Sequence, residues 1–374
     1  MEHDVLTLGY YGFGNIGDES ILSALIKDLK ELMPGINICV LSYKPEETSK
    51  IYNVRAIDRF NLFEARRAVK NSKMLIAGGG SLLQDGTSSK SLWYYLYIIH
   101  YALRCGLKTM IYANGVGPIN GKFNAAITTK IIKKVQIITL RDLESANKLK
   151  KMHINRDDVV VTADPAVGTP SAPDEAINKI LSGASIPNDS RFAAIAMCNK
   201  GFAEKELEQI IAKICDYLNN EIKMAPAFIC MQHSADIKVA KRIVNKMDSQ
   251  ARIITQELTN PEMLGVISKA GLVVGDRLHA LIFAAISGAP FTGIAYDPKI
   301  NAFMDRVGNK NYVASQGLTF NGLKAQINSC LGGQDADRDK CQKSVAEMII
   351  QSKRNARLAI DLLNGKKTAK ERLK

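Results

Sequence analysis

The sequence lacks the cysteine and histidine spacings of a metal site or a disulfide framework. It has seven cysteines but no C-x-x-C pair. Most of them lie within apolar runs, so we expect reduced, buried and structural thiols, as in a cytoplasmic protein. The cysteines are Cys39, Cys105, Cys198, Cys215, Cys230, Cys330 and Cys341. The pattern predicts neither a bound metal nor a cofactor.

The sequence also lacks an apolar run long enough for a membrane span, which needs about 18 residues. The longest candidate, 91–103, is short and carries His100. The N-terminus, Met1 to Asp4, is acidic and leads directly into a predicted strand. We therefore expect no signal peptide and no transmembrane helix.

Acidic residues are few relative to basic ones. The chain has 50 Lys and Arg against 37 Asp and Glu, which gives a formal net charge of +13. This surplus indicates an anionic partner, which would be a phosphate compound, a nucleic acid or an acidic membrane surface. The chain has 374 residues, of which 46% are hydrophobic and 23% charged. These values are typical of a globular protein of two domains.

Strands and helices alternate along the chain. In the first half we predict strands 4–9, 36–42, 74–77, 108–112, 136–140 and 158–162, and helices 18–32, 62–71, 91–105, 122–134 and 143–152. In the second half we predict strands 192–197, 227–231, 252–255 and 271–274, and helices 203–219, 236–247, one from 260, and 280–287. This alternation predicts parallel sheets covered by helices on both faces. The domains are 1–168, a linker 169–190, 191–340, and a C-terminal helix and tail 341–374.

The first strand leads into a glycine-rich turn and a helix. Gly12, Gly14 and Gly17 fit the G-x-G-x-x-G pattern, which brings backbone amides close to an anion at a helix N-terminus. A dinucleotide site also needs an acidic residue at the end of the second strand, and none occurs there before Glu46. Asp18 would repel a phosphate. The pattern therefore disfavours a dinucleotide site, and a turn that binds nothing remains an alternative.

Several other candidate residues follow predicted strands, whose carboxyl ends carry the ligand site in such sheets. Gly79, Gly80 and Ser81 form a turn that can bind an anion. Asp18 and Asp164 can accept a proton from a hydroxyl or bind sugar hydroxyls. The alternatives are that Asp164 only forms a turn, and that Arg141 and Asp142 are a surface ion pair. Residues 115–117 would line the same crevice.

Arg277 and His279 are the strongest candidates in the second half. They follow a strand and open a helix, which we expect Asp276 to cap. The helix dipole disfavours cations there, so a bound anion would offset that cost. Arg277 can bind phosphate or carboxylate through a fork, and His279 can transfer a proton. The alternative is a structural histidine and an arginine paired with Asp276. Gln232 and His233 are weaker candidates.

The C-terminal tail is basic. Residues 353–374 contain eight Lys and Arg against two acids, and Leu358, Ile360, Leu362 and Leu363 lie on a helix that we expect to dock on the first domain. The tail can be a solvated surface or can contact an anionic membrane. Helix 91–105 carries a stripe of Tyr94, Tyr97 and Tyr101 beside Trp93, which is typical of a core and is also found at membrane interfaces.

Taken together, these motifs resemble the polysaccharide pyruvyl transferase family, most closely the CsaB type of bacterial cell-wall biosynthesis. The matching stretches occur in order along the chain: GYYGFGNIGDE at 9–19, GGGSLLQD at 78–85, RDLES at 141–145, ADPA at 163–166 and GDRLHALI at 275–282. The first strand of the second domain often ends in an arginine in this family. Here that region reads MCNK at 197–200, and Lys200 is the candidate replacement.

The resemblance implies two Rossmann-like domains facing a cleft in a glycosyltransferase-B-like architecture. It implies transfer of pyruvate from phosphoenolpyruvate to a sugar diol as a cyclic ketal, on an N-acetylmannosamine-containing, lipid-diphosphate-linked precursor of a polymer that anchors surface-layer proteins. His279 would then be the acid or phosphate partner, Arg277 the anion clamp, and Asp18 the base or acceptor-binding group. Substrate-binding residues would be Arg277, Gly14, Asn15, Gly79, Gly80, Ser81, Arg141, Asp164, Lys200 and Gln232.

Two other functions remain open at this stage. One is a glycosyltransferase of the same architecture that uses a nucleotide sugar and ignores phosphoenolpyruvate. The other is a non-enzymatic protein that binds nucleic acid through its basic surface, although the sequence contains no nucleic-acid motif. We expect a cytoplasmic enzyme that associates with the inner face of the cell membrane and does not bind nucleic acid.

Overall fold

The computed structural model describes residues 1–86, 88–186, 191–198, 204–333 and 335–366. The chain forms two compact units. Unit 1 comprises Met1–Gly168 and Met348–Lys374, and unit 2 comprises Thr169–Glu347. Each unit is a parallel α/β domain, as the alternation of strands and helices predicts.

Unit 1 contains a parallel sheet of seven strands in the described part of the chain, ordered β3-β2-β1-β4-β5-β6-β7. The strands are β1 (His3–Leu8), β2 (Ile38–Ser42), β3 (Arg55–Asp58), β4 (Ser72–Gly78), β5 (Lys108–Asn114), β6 (Ile137–Leu140) and β7 (Val159–Val161). The helices between them are α1 (Ile16–Leu32), α2 (Pro45–Tyr52), α3 (Leu62–Lys70), α4 (Ser89–Arg104), α5 (Lys122–Ile132) and α6 (Leu143–Lys151), followed by a 3₁₀ turn, Pro165–Gly168. The strand order reverses between β1 and β4, which is where ligands bind in such sheets.

The two faces of this sheet have separate cores. One core packs α3, α4, α5 and α6 against the sheet, with Leu96, Ile99 and Ile132 fully buried. The other core packs α1 and the C-terminal helix against the opposite face, with Leu25 and Ala356 fully buried. Because both faces are covered, the central strands are largely apolar.

Unit 2 contains a parallel sheet of six strands in its described residues, ordered β10-β9-β8-β11-β12-β13. The strands are β8 (Phe192–Ala196), β9 (Ala225–Phe228), β10 (Arg252–Ile253), β11 (Leu272–Gly275), β12 (Phe291–Ala295) and β13 (Tyr312–Ala314). The helices are α7 (Asp174–Gly183), α8 (Glu204–Tyr217) with a π turn Leu218–Ile222, α9 (His233–Val244), α10 (Asn260–Ser268), α11 (Leu278–Ser287), α12 (Pro298–Arg306), α13 (Phe320–Leu331) and α14 (Asp335–Leu363). The order reverses between β8 and β11.

The structure differs from the sequence predictions in its elements and in its domain boundaries, and it adds β12, α12, β13 and α13 after the predicted helix 280–287. The polar stretch after β2 forms α2 and leads into β3, because Pro45 starts the helix and Thr48 is buried against Ser42. The predicted linker 169–190 is wrong over its described part, 169–186, since α7 buries Ile177 and Leu181 within unit 2. The boundary at 340 falls inside α14, which begins in unit 2 and ends in unit 1.

Two further expectations concern the cysteines and the membrane. All seven cysteines are free, and six are buried, but Cys105 is exposed because it ends α4 at a turn. Among the described residues, no helix is long and apolar enough to cross a bilayer.

Candidate functional site

Asp18 lies beside the turn that follows β4 in unit 1. A methyl group added at Gly80 would collide with the Asp18 carboxylate, so this carboxylate lies directly against the Gly80 backbone. Gly79 and Gly80 have φ of +75° and +61°, a left-handed conformation that favours glycine. β1 and β4 are neighbours at the point where the strand order reverses. The structure therefore brings together Asp18, Gly79 and Gly80, as the sequence predicts.

The glycine-rich turn after β1 is occupied by the protein's own carboxylate. The Gly12 amide donates to Glu19 Oε1 at 2.7 Å, and the Tyr52 hydroxyl donates to Glu19 Oε2 at 2.9 Å. Burial raises the pKa of Glu19 to about 6. The Gly12 amide thus serves an internal hydrogen bond, which supports the conclusion that this turn is not a dinucleotide site.

Asn15 and Gly14, both predicted to bind substrate, shape the same turn. Asn15 is the N-cap of α1, and its side-chain oxygen accepts from the Gly17 amide at 3.1 Å. Gly14 has φ of +66°. The Asn15 side chain therefore caps the N-terminus of α1, as asparagine commonly does.

Arg141 is buried and bonds three side chains, so Arg141 and Asp142 are not a surface ion pair. Its guanidinium donates to Ser81 Oγ at 3.1 Å, to Asp164 Oδ2 at 3.4 Å and to Asp142 Oδ2 at 3.3 Å. Only 6% of its side chain is exposed. A Cβ atom at Gly115 would lie 2.6 Å from Arg141 Nη2, so only glycine leaves room for the guanidinium.

Asp142 and Asp164 each have a second, structural contact in this network. Asp142 accepts from the Ser145 amide at 2.7 Å and so caps α6. Asp164 accepts from the Ala166 amide at 3.1 Å and so forms a turn. Asp164 is thus a turn former and also a partner of Arg141. Of the residues predicted in this unit, Ser81, Arg141 and Asp164 converge into one network.

A cationic and aromatic cluster near this site was missed by the sequence reasoning. Arg59 is buried and donates to the Gly9 carbonyl at 2.8 Å. Its guanidinium carbon lies 4.6 Å from the Tyr94 ring centroid and 5.1 Å from that of Phe13. Phe13 also stacks on Tyr43, with centroids 4.6 Å apart. Because Arg59 belongs to β3 and its loop, which were not predicted, no sequence signal pointed to this contact.

In unit 2, Asp276 does not cap α11. The N-cap is Arg277, and the Asp276 carboxylate instead accepts from the Cys198 amide at 2.6 Å, at the end of β8. Asp276 therefore fixes the carboxyl ends of β8 and β11 to each other at the point where the strand order reverses. Burial also raises the pKa of the nearby Tyr296 phenol, and the charges of Cys198 and Asp276 raise it further.

Arg277 pairs with Asp236 and not with Asp276. Its Nε donates to Asp236 Oδ2 at 3.1 Å, and its Nη2 donates to Asp236 Oδ1. Asp236 also accepts from the Gln232 amide at 2.9 Å. Burial opposes the charge of Arg277, but the charges of Cys198, Asp236 and Asp276 outweigh it and raise the pKa of the guanidinium. The fork with Asp236 uses one edge of a five-donor group, which leaves the other donors for an anion.

His279 is the second residue of α11 and directly follows this pair in the chain. Its Nε2 atom is inaccessible to solvent, although the residue as a whole is partly exposed. No acidic residue lies in the first turn of α11. A partly buried arginine and a histidine thus share a helix N-terminus, where an anion is favoured.

The remaining candidates are less informative. His233 opens α9, and its Nε2 lies 2.6 Å from the Thr255 carbonyl. Gln232 is the N-cap of α9, and its backbone amide donates to the Asp236 carboxylate. Lys200 falls outside the described residues. Among the residues that are described, no group of three or more His, Cys, Asp or Glu can hold a metal ion.

A cavity of about 580 Å³ lies in unit 2, away from these residues. It is lined by Pro290 and Phe291, where β12 begins, and by Gln342 of α14. This is the amino edge of the sheet, opposite the strand ends that carry Arg277. None of the candidate site residues lines it.

Comparisons with known proteins agree with this architecture. A family model described as polysaccharide pyruvyl transferase matches residues 15–298. The amylovoran biosynthesis protein AmsJ of Erwinia amylovora is 21% identical over 92% of this chain and 95% of its own. The S. aureus MnaA structure with UDP has a TM-score of 0.66 at 12% identity, over 98% of both chains. A glycosyltransferase of Rickettsia africae has a TM-score of 0.63 at 12% identity, over 97% of this chain and 98% of its own. These structures are similar in fold, which confirms the glycosyltransferase-B-like class.

Proposed function

The chain belongs to the polysaccharide pyruvyl transferase family, and we propose that it moves the pyruvyl group of phosphoenolpyruvate onto a sugar diol as a cyclic ketal. The acceptor that we propose is N-acetylmannosamine in a lipid-diphosphate-linked precursor of a cell-wall polymer. The pyruvylated polymer would anchor surface-layer proteins. The enzyme would then act in the cytoplasm, at the inner face of the cell membrane.

The observation that carries this proposal is the pair of Arg277 and His279 at the start of α11. Phosphoenolpyruvate has a carboxylate and a phosphate, and it needs cationic donors for both. Arg277 is held in one orientation by Asp236 and keeps donors for an anion. His279 adds a group that can donate a hydrogen bond or transfer a proton. The positive end of the helix dipole favours the same anion.

The reaction balances with these groups and needs no redox partner. A proton adds to the methylene carbon of phosphoenolpyruvate, which becomes a methyl group and leaves cation character on the neighbouring carbon. One sugar hydroxyl forms a bond to that carbon and loses its proton. The carbon–oxygen bond to phosphate breaks, phosphate leaves, and the second hydroxyl closes the ketal with loss of its proton. In this scheme His279 supplies the proton or binds the phosphate.

In the same scheme unit 1 binds the acceptor. Asp18 accepts a proton from a sugar hydroxyl or holds the hydroxyl by a hydrogen bond. Ser81 and Arg141 belong to one buried network, so the turn beside Asp18 is rigid. A rigid turn positions a carboxylate better than a mobile loop does.

The test is the release of phosphate from phosphoenolpyruvate, with and without an N-acetylmannosamine-containing lipid-diphosphate analogue. Mass spectrometry of the acceptor then identifies the product. Release that depends on the acceptor, with a pyruvate ketal on the sugar, supports the proposal. Turnover of a nucleotide sugar without any reaction of phosphoenolpyruvate would contradict it and assign a glycosyltransferase instead.

A further inference from the structure

The helices α3, α4 and α5 of unit 1 form a strongly cationic surface. Over residues 62–70, 89–104 and 122–134 the chain has nine Lys and Arg and a single acidic residue, Glu64. All nine cations are exposed. They are Arg66, Arg67, Lys70, Lys90, Arg104, Lys122, Lys130, Lys133 and Lys134. We call this set, with the exposed aromatic residues described next, the cationic helix face.

Exposed aromatic side chains lie among these cations. Phe63 is 78% exposed, Phe123 is 68% exposed and Trp93 is 46% exposed. Trp93 and Phe123 contact each other edge to face, with centroids 6.5 Å apart, which links α4 to α5. Trp93 and Phe123 thus form one exposed apolar pair, and Phe63 lies on the neighbouring helix α3. Exposed apolar patches mark interaction sites.

Two tyrosines of α4 contact Arg66 of α3 on the same face. The Arg66 guanidinium carbon lies 5.4 Å from the Tyr97 ring centroid and 5.6 Å from that of Tyr101. The Arg66 Nε also donates to the Tyr97 hydroxyl. The tyrosine stripe of α4 is thus only partly core, since these two rings carry a cation at the surface. Tyrosine, tryptophan and arginine in this mixture are typical of proteins at a membrane interface.

The direction of the helices places the exposed phenylalanines at the edge of the sheet that carries the candidate site. Each helix connects two parallel strands, so it runs opposite to them and begins at their carboxyl edge. Phe63 and Phe123 are the second residues of α3 and α5. Asp18 and Gly80 lie at the same edge of this sheet.

We propose that unit 1 docks on an anionic lipid bilayer through the cationic helix face, with Phe63, Trp93 and Phe123 entering the headgroup region. The choice of lipid over another polyanion rests on the lipid-linked acceptor proposed above. A bilayer at this edge would hold a lipid-diphosphate acceptor next to Asp18 and the turn of Gly79 and Gly80. The basic residues of α14 are a separate feature, because α14 packs on the opposite face of the sheet.

The experiment measures binding of the full chain to vesicles of phosphatidylcholine, with and without phosphatidylglycerol, by co-sedimentation at two salt concentrations. We expect binding that needs phosphatidylglycerol and weakens with salt. The triple variant Arg66→Glu, Arg67→Glu and Lys70→Glu should bind at least about 100-fold more weakly. The matched control reverses Lys213, Lys238 and Lys241 to Glu, which are exposed in unit 2, and should lose far less.

A second pair of variants separates insertion from simple attraction between charges. Phe63→Gln with Phe123→Gln leaves the charge unchanged, and the two side chains are exposed, so the fold should survive. Binding should fall by about tenfold per phenylalanine. The control is Ile350→Gln, which removes a 73% exposed apolar side chain of α14.

The proposal is overturned if the control triple variant loses as much binding as the triple variant of α3. It is also overturned if the chain binds single-stranded RNA tightly and vesicles not at all. Vesicle binding needs no phosphoenolpyruvate, so failure of transfer in the phosphate assay and failure of docking are separate results. The phenylalanine variants should keep full activity on a water-soluble acceptor analogue.

Discussion

The Glu19 carboxylate accepts a hydrogen bond from the Gly12 amide at 2.7 Å, so the glycine-rich turn of unit 1 binds a carboxylate of its own helix. The two residues are seven positions apart, and Tyr52 of α2 completes the contact. The turn therefore has the sequence of an anion-binding loop, while its first amide is already used. This arrangement separates the protein from dinucleotide-binding domains with similar glycine spacing.

The partly buried Glu19 should make the stability of unit 1 depend on pH. Burial raises its pKa from 4.5 to about 6, so the folded state disfavours the charged form. Its contribution to stability is present below pH 4.5 and is lost as the pH rises through about 6. We therefore compare the free energies of unfolding of Glu19→Gln and of the unaltered chain. Between about pH 4 and about pH 8 their difference should change by about 2 kcal/mol in favour of the variant.

Fluorescence of Trp93 during urea unfolding measures this difference. It is the sole tryptophan of the sequence and belongs to unit 1, so the signal reports this unit. Glu46→Gln, which changes an exposed carboxylate of α2, is the control. A constant difference between Glu19→Gln and the unaltered chain across this pH range would contradict the prediction.

His279→Ala should abolish turnover without unfolding the protein. If His279 is the general acid, kcat for phosphate release should fall by about 10²–10⁴-fold. If it binds phosphate instead, KM for phosphoenolpyruvate should rise while kcat changes less. His233→Ala is the matched control, because the His233 ring bonds the Thr255 carbonyl of the backbone and its loss should leave activity intact. Full activity of His279→Ala, with an unchanged circular dichroism spectrum, would remove His279 from the mechanism.

Arg277→Lys should lower kcat/KM for phosphoenolpyruvate by about 100-fold, although the positive charge is kept. Lysine cannot form the fork with Asp236 and also present a fixed second edge to an anion. The control is Arg242→Lys, because Arg242 meets Glu208 through one nitrogen and is half exposed. Steady-state kinetics of both variants tests this prediction. Equal losses of kcat/KM would show that the fork geometry is unimportant.

Gly115→Ala should disturb the Arg141 network. The new methyl group would lie 2.6 Å from Arg141 Nη2, and the guanidinium cannot withdraw without losing Asp164 or Ser81. We expect a loss of about 1–3 kcal/mol in the free energy of unfolding, together with lower activity. Gly168→Ala is the control, since no atom lies within 4 Å of its added methyl group. If the two variants melt at the same temperature, Arg141 is not confined as described.

The sequence predicts the two parallel α/β domains and the strand ends at which the candidate residues cluster. Hydrophobic runs and glycine turns are local signals, and parallel sheets collect strand ends at one edge. This explains why Asp18 lies beside Gly80, and why Arg141 contacts Ser81 and Asp164. The short segments α2, β3 and β13 were missed because their burial depends on neighbouring strands more than on their own sequence.

Only the tertiary structure decides which charged groups pair. Asp276 is adjacent to Arg277 in the chain, yet Arg277 pairs with Asp236, which is 41 residues away. Adjacent residues at a strand end point in different directions, so Asp276 reaches the Cys198 amide on the neighbouring strand. Local patterns thus determine the fold and the edge that carries the site, whereas partner choice depends on how separate strands and helices pack.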